Sequence, residues 1–598
     1  MEIWDLARER AISAGNRQRM LKTPTFSAPR VVALKGEKWL VFSAWPYVNA
    51  IPHLGNLIGS ILSADVAARF LRMKGARVIF ASGSDQHGTP IEVEAIKRGV
   101  DPKKMADEMH EIVKGLFDKW RISFDIYTKT DNQTHIKFVM DFYRKVYDNG
   151  YVFSDIIQVL YCPNDRIYLP DRFVEGTCPY CGYLKARGDQ CDNCGRLLDP
   201  LQLIEPRCVL CGSKPEVRET RHWFLDLPKL ADRIKKYVEG NPNLPDNARN
   251  MSLQMLREGL RPRALTRDNK WGIPAPFPGA EGKTIYVWME AVLGYISAVK
   301  EYFEKRGEPD KWKEFWLDPN TKSVYFIGKD NIPFHVIIFP ALLLASGEGY
   351  VLPWTVASTE YLLFEGDKFS KSRGIGIWID EALELLPVDY WRFALVWMRP
   401  EVRDSNFSWK GLQEAVNSQL NDAVGNLVHR ALTLVKRRFD YVIPEPNGLR
   451  KRDEDLLSAT WSKVDEAEKS MFEFRFKKAL SSILEIAAEG NAYINEMRPW
   501  EEPVSEAAKT LFTACSLIKT LAITLAPVIP DSSQRMWEML GYGGSVADTE
   551  WDEAKKPVTP GLRIKEPTPL FRKINDEELA AIQLKLSEIR RSRAQQAR

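Results

Sequence analysis

KWLVFSAWPYVNAIPHLGN, residues 38–56, decides how the rest of the chain is read. Residues 38–44 form a short apolar run with β-branched and aromatic side chains, which predicts a buried strand. Pro46 and Pro52 stiffen the loop that follows, and Gly55 lets a backbone approach something closely. From Leu54 to Met73 the apolar spacing is helical with few breakers, so His53 stands where a helix begins. A helix N-terminus offers free N–H groups and positive potential to phosphate, and an imidazole beside it can donate a further hydrogen bond. RVIFASGSD, residues 77–85, reads as a second strand. Strand, loop, helix and strand open a parallel α/β domain. By itself, a histidine at such a junction is more often structural than chemical.

Further along, TIYVWMEA (284–291) and SVYFIGKD (323–330) have the same strand-like composition, the latter followed by a helix near Phe334 to Ala345. The two α/β halves bracket a cysteine-rich insertion, and from Trp409 to about Gly541 the helical period is nearly unbroken. The fold class is therefore a Rossmann-like parallel-sheet domain with a metal-binding insertion, followed by an all-α helical bundle. Its expected parts are an extension (1–37), the first α/β half (38–132), the insertion (133–286), the second half (287–360), a connecting region (361–408), the bundle (409–573) and a charged, loosely attached C-terminal helix (574–598).

Composition bounds the function less tightly. With 44% hydrophobic and 27% charged residues the chain reads as globular, and at 598 residues it is long enough for several domains. A net charge of +4 does not separate a nucleic-acid binder from a metabolic enzyme, since positive charge can be confined to one face. No apolar run is expected to span a bilayer: Val336 to Ala345 is interrupted by Pro340. The N-terminus carries charges where a signal peptide needs an apolar segment, so a cytoplasmic location is expected. Thiols there stay reduced and favour metals over disulfides.

Seven of the eight cysteines lie between Cys162 and Cys211; Cys515, in a helical stretch, is expected in the core. Cys178-x2-Cys181 and Cys191-x2-Cys194 place four thiolates on two tight turns, the spacing of a closed, structural tetrahedral Zn2+ site. Cys208-x2-Cys211 makes another such turn, but its partner Cys162-x2-Asp165 has a carboxylate in the fourth place. Asp ligates zinc, so the reading favours a second site of three cysteines and Asp165 over a decayed one.

FEGDKFSKSRGIG, residues 364–376, puts Lys368, Lys371 and Arg373 on a loop flanked by Gly366, Gly374 and Gly376. Three cations alone would read as a solvated loop. Paired with HLGN they read differently, because such cations can cover charge growing on a departing pyrophosphate. Here the sequence resembles class I aminoacyl-tRNA synthetases, whose two signatures are HIGH and KMSKS. HLGN and KFSKS match them with Asn56 in place of the second His and Phe369 in place of Met. SAWPYVNAIPHLGN, YLPDRFVEGTCPYCG, YVWMEAVLGY, FIGKDNIPFH and FSKSRG are similar, in order and spacing, to the methionyl-tRNA synthetases of the archaeal/eukaryotic type, over about residues 38–573.

That resemblance implies an enzyme that activates L-methionine with ATP, taken with Mg2+, and transfers it to tRNA(Met). It implies catalytic roles for His53, Asn56, Lys368 and Lys371, and contacts to ATP from these with Gly55, Gly328, Lys329, Asp330 and Ser370. Asp85 would bind the amino group. Ala44, Trp45, Tyr47, Trp288, Ala291, Tyr295, Asn331 and His335 would shape the methionine pocket. Residues 361–408 become the KMSKS-loop and stem-contact region, and 409–573 the anticodon-binding domain. Trp45 departs from the family's usual Leu, and its larger ring is expected to narrow or reshape the pocket. Asn426 and Arg430, four apart, share a helix face, and Trp500 follows Pro499 where it can stack on a base; the resemblance assigns all three to the CAU anticodon.

Synthetases for leucine, isoleucine or valine resemble longer chains with an editing domain, for which this insertion leaves little room. A cysteine enzyme would place zinc in the amino-acid pocket. A non-catalytic tRNA-binding relative is disfavoured by intact His53, Lys368 and Lys371. A monomer is expected.

Overall fold

The middle of the strand Lys38–Ser43, Trp39 to Phe42, is apolar without alternation because it lies in the middle of a sheet covered on both faces. Lys38–Phe42 pair in parallel with Arg77–Ala81, and Trp39–Ser43 pair in parallel with Lys322–Phe326 on the other side. This computed structural model describes residues 35–188, 191, 193, 194, 196, 198–370 and 374–596. The expected extension therefore lies outside the described residues save for its last three. The sheet has five parallel strands in the order Thr355–Thr359, Lys322–Gly328, Lys38–Ser43, Arg77–Ser84 and Ile126–Lys129. From the central strand the chain builds outward to one side and later returns to build the other. Such a reversal opens a crevice at the carboxyl ends of the two strands that flank it, here Lys38–Ser43 and Lys322–Gly328.

Between the halves, Val152–Cys162 and Glu216–Leu225 form a long antiparallel ladder. It carries a small three-stranded sheet and the cysteine turns. The helices Ala231–Gly240 and Asp246–Glu258 bring the chain back, burying Ile234, Val238 and Ala248 in the core of the sheet domain.

Residues 284–291 differ from the expected strand. Only Thr284–Ile285 is extended, pairing with Thr266–Arg267 rather than with the main sheet, and Val287–Ala291 is a helix. An apolar run this short fits either state, and the tertiary partner decides. The consequence is local but important: Trp288 and Glu290 sit on a helical turn above the crevice rather than in a sheet.

The helical domain contains Asn426–Phe439, Lys451–Phe472, Phe476–Met497 and Val504–Leu525. Val504–Leu525 is its central helix and buries Cys515 completely. The bundle is bolted to the sheet domain by Arg392, fully buried, which donates to Asp65 Oδ2 (2.6 Å) and to the carbonyls of Val528 (2.8 Å) and Pro527 (3.0 Å). Leu54–Met73 and Val504–Leu525 are each long and apolar enough to cross a membrane, contrary to the expectation that no segment is. They are 78% and 94% buried within the protein, so their apolarity serves packing. The C-terminal helix Asp576–Gln596 is not loosely attached. Its own Ile582 and Leu586 are buried, and its Arg593 pairs with Asp380 (2.6 Å) and Glu384 (2.9 Å).

Candidate active site

The loop after the central strand turns His53 into the crevice as the cap of the helix Leu54–Met73. The Asn56 amide N–H donates to His53 Nδ1 and the His53 amide N–H donates to Asn56 Oδ1, both at 3.2 Å. Burial lowers the imidazole's pKa from 6.5 to about 4, so it is neutral near pH 7. With Nδ1 accepting, the proton sits on Nε2, and the ring presents one N–H donor. The helix that follows contains a π-turn at Leu57–Ile61, a distortion common at functional sites.

The distant basic loop meets this histidine. Phe369 stacks on the His53 ring at 4.4 Å between centres and 10° between planes. Two glycines make room for it: a Cβ on Gly376 would lie 2.3 Å from the Phe369 ring, and one on Gly55 3.2 Å. Gly376 also has φ +125°, which disfavours any other residue. The loop is closed by paired backbone hydrogen bonds between Ser370 and Ile375. Lys368 reaches over the Tyr361 ring (5.4 Å), as does Lys329 (4.1 Å). Lys371 and Arg373 lie outside the described residues.

At the end of Lys322–Gly328, Lys329 donates to Glu360 Oε2 (2.7 Å) and Asp404 Oδ1 (2.9 Å), and Asp330 accepts from the Tyr361 hydroxyl. His335 Nδ1–H donates to the Asn331 carbonyl (2.8 Å). Burial holds His335 neutral, with its pKa lowered to about 4, so Nε2 accepts and the Tyr295 hydroxyl donates to it (2.8 Å). Trp288 stacks on Phe334 (4.9 Å) and meets Tyr47 edge-on (5.9 Å). Ala44 is fixed by an N–H bond to the Phe326 carbonyl (3.0 Å), and Ala291 is buried beside Trp288 on the same helix.

Asp85 is bridged to Tyr47 by backbone pairing, and its carboxylate is buried with Oδ1 unpartnered. Burial first, and the nearby Glu290 second, push its pKa well above the usual carboxylate value. Neither Glu290 nor His87 was expected in the site. His87 Nδ1–H donates to Glu290 Oε1 at 2.6 Å. Burial lowers its pKa, but Glu290 and Asp131 outweigh this and raise it to about 10, leaving a buried imidazolium. A signal was present: His87 lies two residues past Asp85 in SDQHG, and Glu290 is the one acid in an otherwise apolar run.

Trp45 goes where two side chains are missing. A Cβ on Gly83 would lie 2.5 Å, and one on Gly294 2.7 Å, from its ring. The larger ring is thus accommodated between the second strand and the helix Gly294–Glu304.

Both cysteine groups close in space. The Sγ atoms of Cys178, Cys181, Cys191 and Cys194 all lie within 4.8 Å of one another, and so do the ligand atoms of Cys162, Asp165, Cys208 and Cys211. Asp165 Oδ2 is 3.2 Å from Cys162 Sγ and 3.1 Å from Cys208 Sγ, so the carboxylate occupies the fourth corner. Either group could hold a metal ion. In the helical domain, Asn426 and Arg430 donate to Asn491 (3.1 Å) and Asn495 (2.7 Å) on the neighbouring helix. The Arg430 guanidinium lies 6.0 Å from the ring of Trp500, which is 44% exposed.

A parallel sheet reversing at its central strand, with HLGN and KFSKS loops meeting over the crevice, defines a class I tRNA synthetase. The family described as tRNA synthetases class I (M) matches residues 39–432, and the anticodon binding domain of methionyl tRNA ligase matches 443–591. The chain belongs to the methionine–tRNA ligase family. It is 62% identical to the methionine–tRNA ligase of Thermofilum pendens over 93% of this chain and 99% of that one. It is 53% identical to that of Aeropyrum pernix over 93% and 98% respectively. Among solved structures, Mycobacterium tuberculosis methionyl-tRNA synthetase in complex with methionyl-adenylate shares the fold, at 22% identity and TM-score 0.75 over 90% of this chain and 99% of that one.

Proposed function

We propose that the chain joins methionine to its tRNA in two steps, using the crevice for both. Methionine's carboxylate oxygen attacks the α-phosphorus of ATP, forming the adenylate and breaking the bond to pyrophosphate. A ribose hydroxyl at the tRNA 3′ end then attacks the carbonyl carbon and releases AMP. Neither step needs a side-chain nucleophile; positioning and charge stabilisation carry them. His53 Nε2–H and Lys368 donate to the phosphates, with Lys371 and Ser370 in the same loop. Asn56 acts through the tautomer it imposes on His53. Gly55 and Gly328 allow close approach of the nucleotide, and Lys329 and Asp330 line its path.

Asp85 Oδ1 receives the ammonium group, whose positive charge returns this carboxylate to its ionised form. Trp288, Tyr47, Ala44, Ala291 and Trp45 bound the side chain. Tyr295, held by His335 and in turn by Asn331, places its hydroxyl oxygen toward the thioether. Cys178, Cys181, Cys191 and Cys194 hold one structural Zn2+, and Cys162, Asp165, Cys208 and Cys211 a second; zinc supplies the cross-link that orders these turns. Asn426, Arg430 and Trp500 read the anticodon.

The observation that carries this reading is the stack of Phe369 on His53, which joins the two signature loops over one crevice. Amino-acid-dependent exchange of pyrophosphate into ATP tests it. Methionine alone among the standard amino acids supports exchange; exchange with another amino acid, or with none, refutes the assignment.

A further inference from the structure

The C-terminal helix does more than cover a surface. Its Arg590 sends a two-pronged guanidinium to Glu381, Nε to Oε1 at 2.8 Å and Nη2 to Oε2 at 2.9 Å. The same side chain donates to the Gly374 carbonyl (3.0 Å) and to the Gly376 carbonyl (2.5 Å), and it lies over the Trp378 ring (5.1 Å). Glu381 is buried, so this is not an exposed ion pair of small effect.

What Arg590 holds is the segment that backs His53. Glu381 Oε2 also accepts the Trp378 amide N–H (3.0 Å). Trp378 pairs with His53 in an isolated antiparallel bridge, flanked by Leu54 N–H to the Ile377 carbonyl and Ile379 N–H to the Pro52 carbonyl, both 3.0 Å. Gly376 is also the floor on which Phe369 rests while it stacks on the imidazole. One guanidinium therefore fixes, through Glu381, the backbone behind the ring and, through two carbonyls, the bed of the aromatic in front of it.

We propose that Arg590 is a positioning residue for ATP: it sets the attitude of His53 and Phe369 from a helix that, among the described residues, makes no hydrogen bond or ring contact with either. This rests on the reading that His53 binds phosphate. A guanidinium is required because four acceptors are met by one planar fork, which an ammonium cannot reproduce.

The neighbouring Arg593 supplies the control. It docks the same helix on the same partner through Asp380 and Glu384 and, among the described residues, donates no hydrogen bond to Gly374, Gly376 or Glu381; its charge acts on Glu381 only as a weaker contribution after those two acids. The full-length chain carrying Arg590→Met, Arg590→Lys, Arg593→Met or His53→Ala is compared in methionine-dependent pyrophosphate exchange, with melting temperatures recorded alongside. Arg590→Met is expected to raise the KM for ATP about tenfold while leaving the KM for methionine within a factor of about two. Arg590→Lys recovers less than half of that loss, and Arg593→Met leaves both constants near those of the parent although it lowers the melting temperature comparably. An unchanged KM for ATP in Arg590→Met, or an equal rise in Arg593→Met, overturns the proposal. Normal exchange by His53→Ala instead overturns the reading beneath it.

Discussion

The cysteine turns and the crevice are both built from a handful of polar groups, but they are assembled in opposite ways. Each cysteine pair is made by a two-residue spacing on a tight turn, and the first group of four spans only Cys178 to Cys194. The crevice draws His53, Asp85, Glu290, His335 and Phe369 from five separate segments, and only the sheet reversal brings them together. A local device can be read from spacing and lost by one substitution without disturbing the rest. A long-range device is invisible to spacing, and its members depend on one another.

The largest effect that sharpens this contrast is at Asp85. Asp85→Asn removes the carboxylate proposed to receive the ammonium group and is expected to raise the KM for methionine about ten- to hundredfold, with the KM for ATP little changed. Steady-state exchange with each substrate varied separately reads this. Trp500→Ala comes next. Loss of one stacked base is worth about 1–3 kcal/mol, so kcat/KM for tRNA charging falls while exchange stays near the parent rate. Equal losses in both assays would detach Trp500 from the anticodon.

Metal content separates the local devices from each other. Two zinc ions per chain are expected by elemental analysis, one in Asp165→Ala and one in Cys178→Ala, with exchange retained in the former. One zinc in the parent would leave the three-cysteine group empty. The smallest effect concerns pH. Burial lowers the pKa of His87, but Glu290, Asp131 and Asp85 together outweigh it and raise it from 6.5 to about 10 in the folded chain. Its contribution to stability is therefore complete below about pH 6.5 and fades as the pH rises toward 10. Denaturant midpoints should fall over that interval in the parent and stay flatter in His87→Gln.

These differences also explain what the sequence made legible. The α/β halves were readable because strands covered on both faces carry apolar runs without alternation, as in Trp39 to Phe42, and the helical bundle because its period is long and regular. The two cysteine groups were readable from spacing, including Asp165 as the fourth member of the second cluster, whose four side chains do come together. Residues 284–291 were misread because five or six apolar residues fit a strand as well as a helical turn. The likeness to a known family pointed to His53, Lys368 and Asp85 as candidates, and the structure brings Phe369, beside Lys368, onto the His53 ring. It did not reveal the buried His87–Glu290 pair or the two glycines that receive Trp45, which only packing exposes. The C-terminal helix appeared loosely attached because arginine spacing says nothing of the acidic turn at Asp380 to Glu384 that receives it.

Whether the two signature loops act on one nucleotide is most directly measured by a double-mutant cycle in pyrophosphate exchange with His53→Ala, Lys368→Ala and the pair. Groups that share the same phosphates should couple by about 0.5–3 kcal/mol, so the double variant loses less activity than the product of the single losses. Strictly multiplicative losses would mean that the imidazole and the lysine act on separate targets.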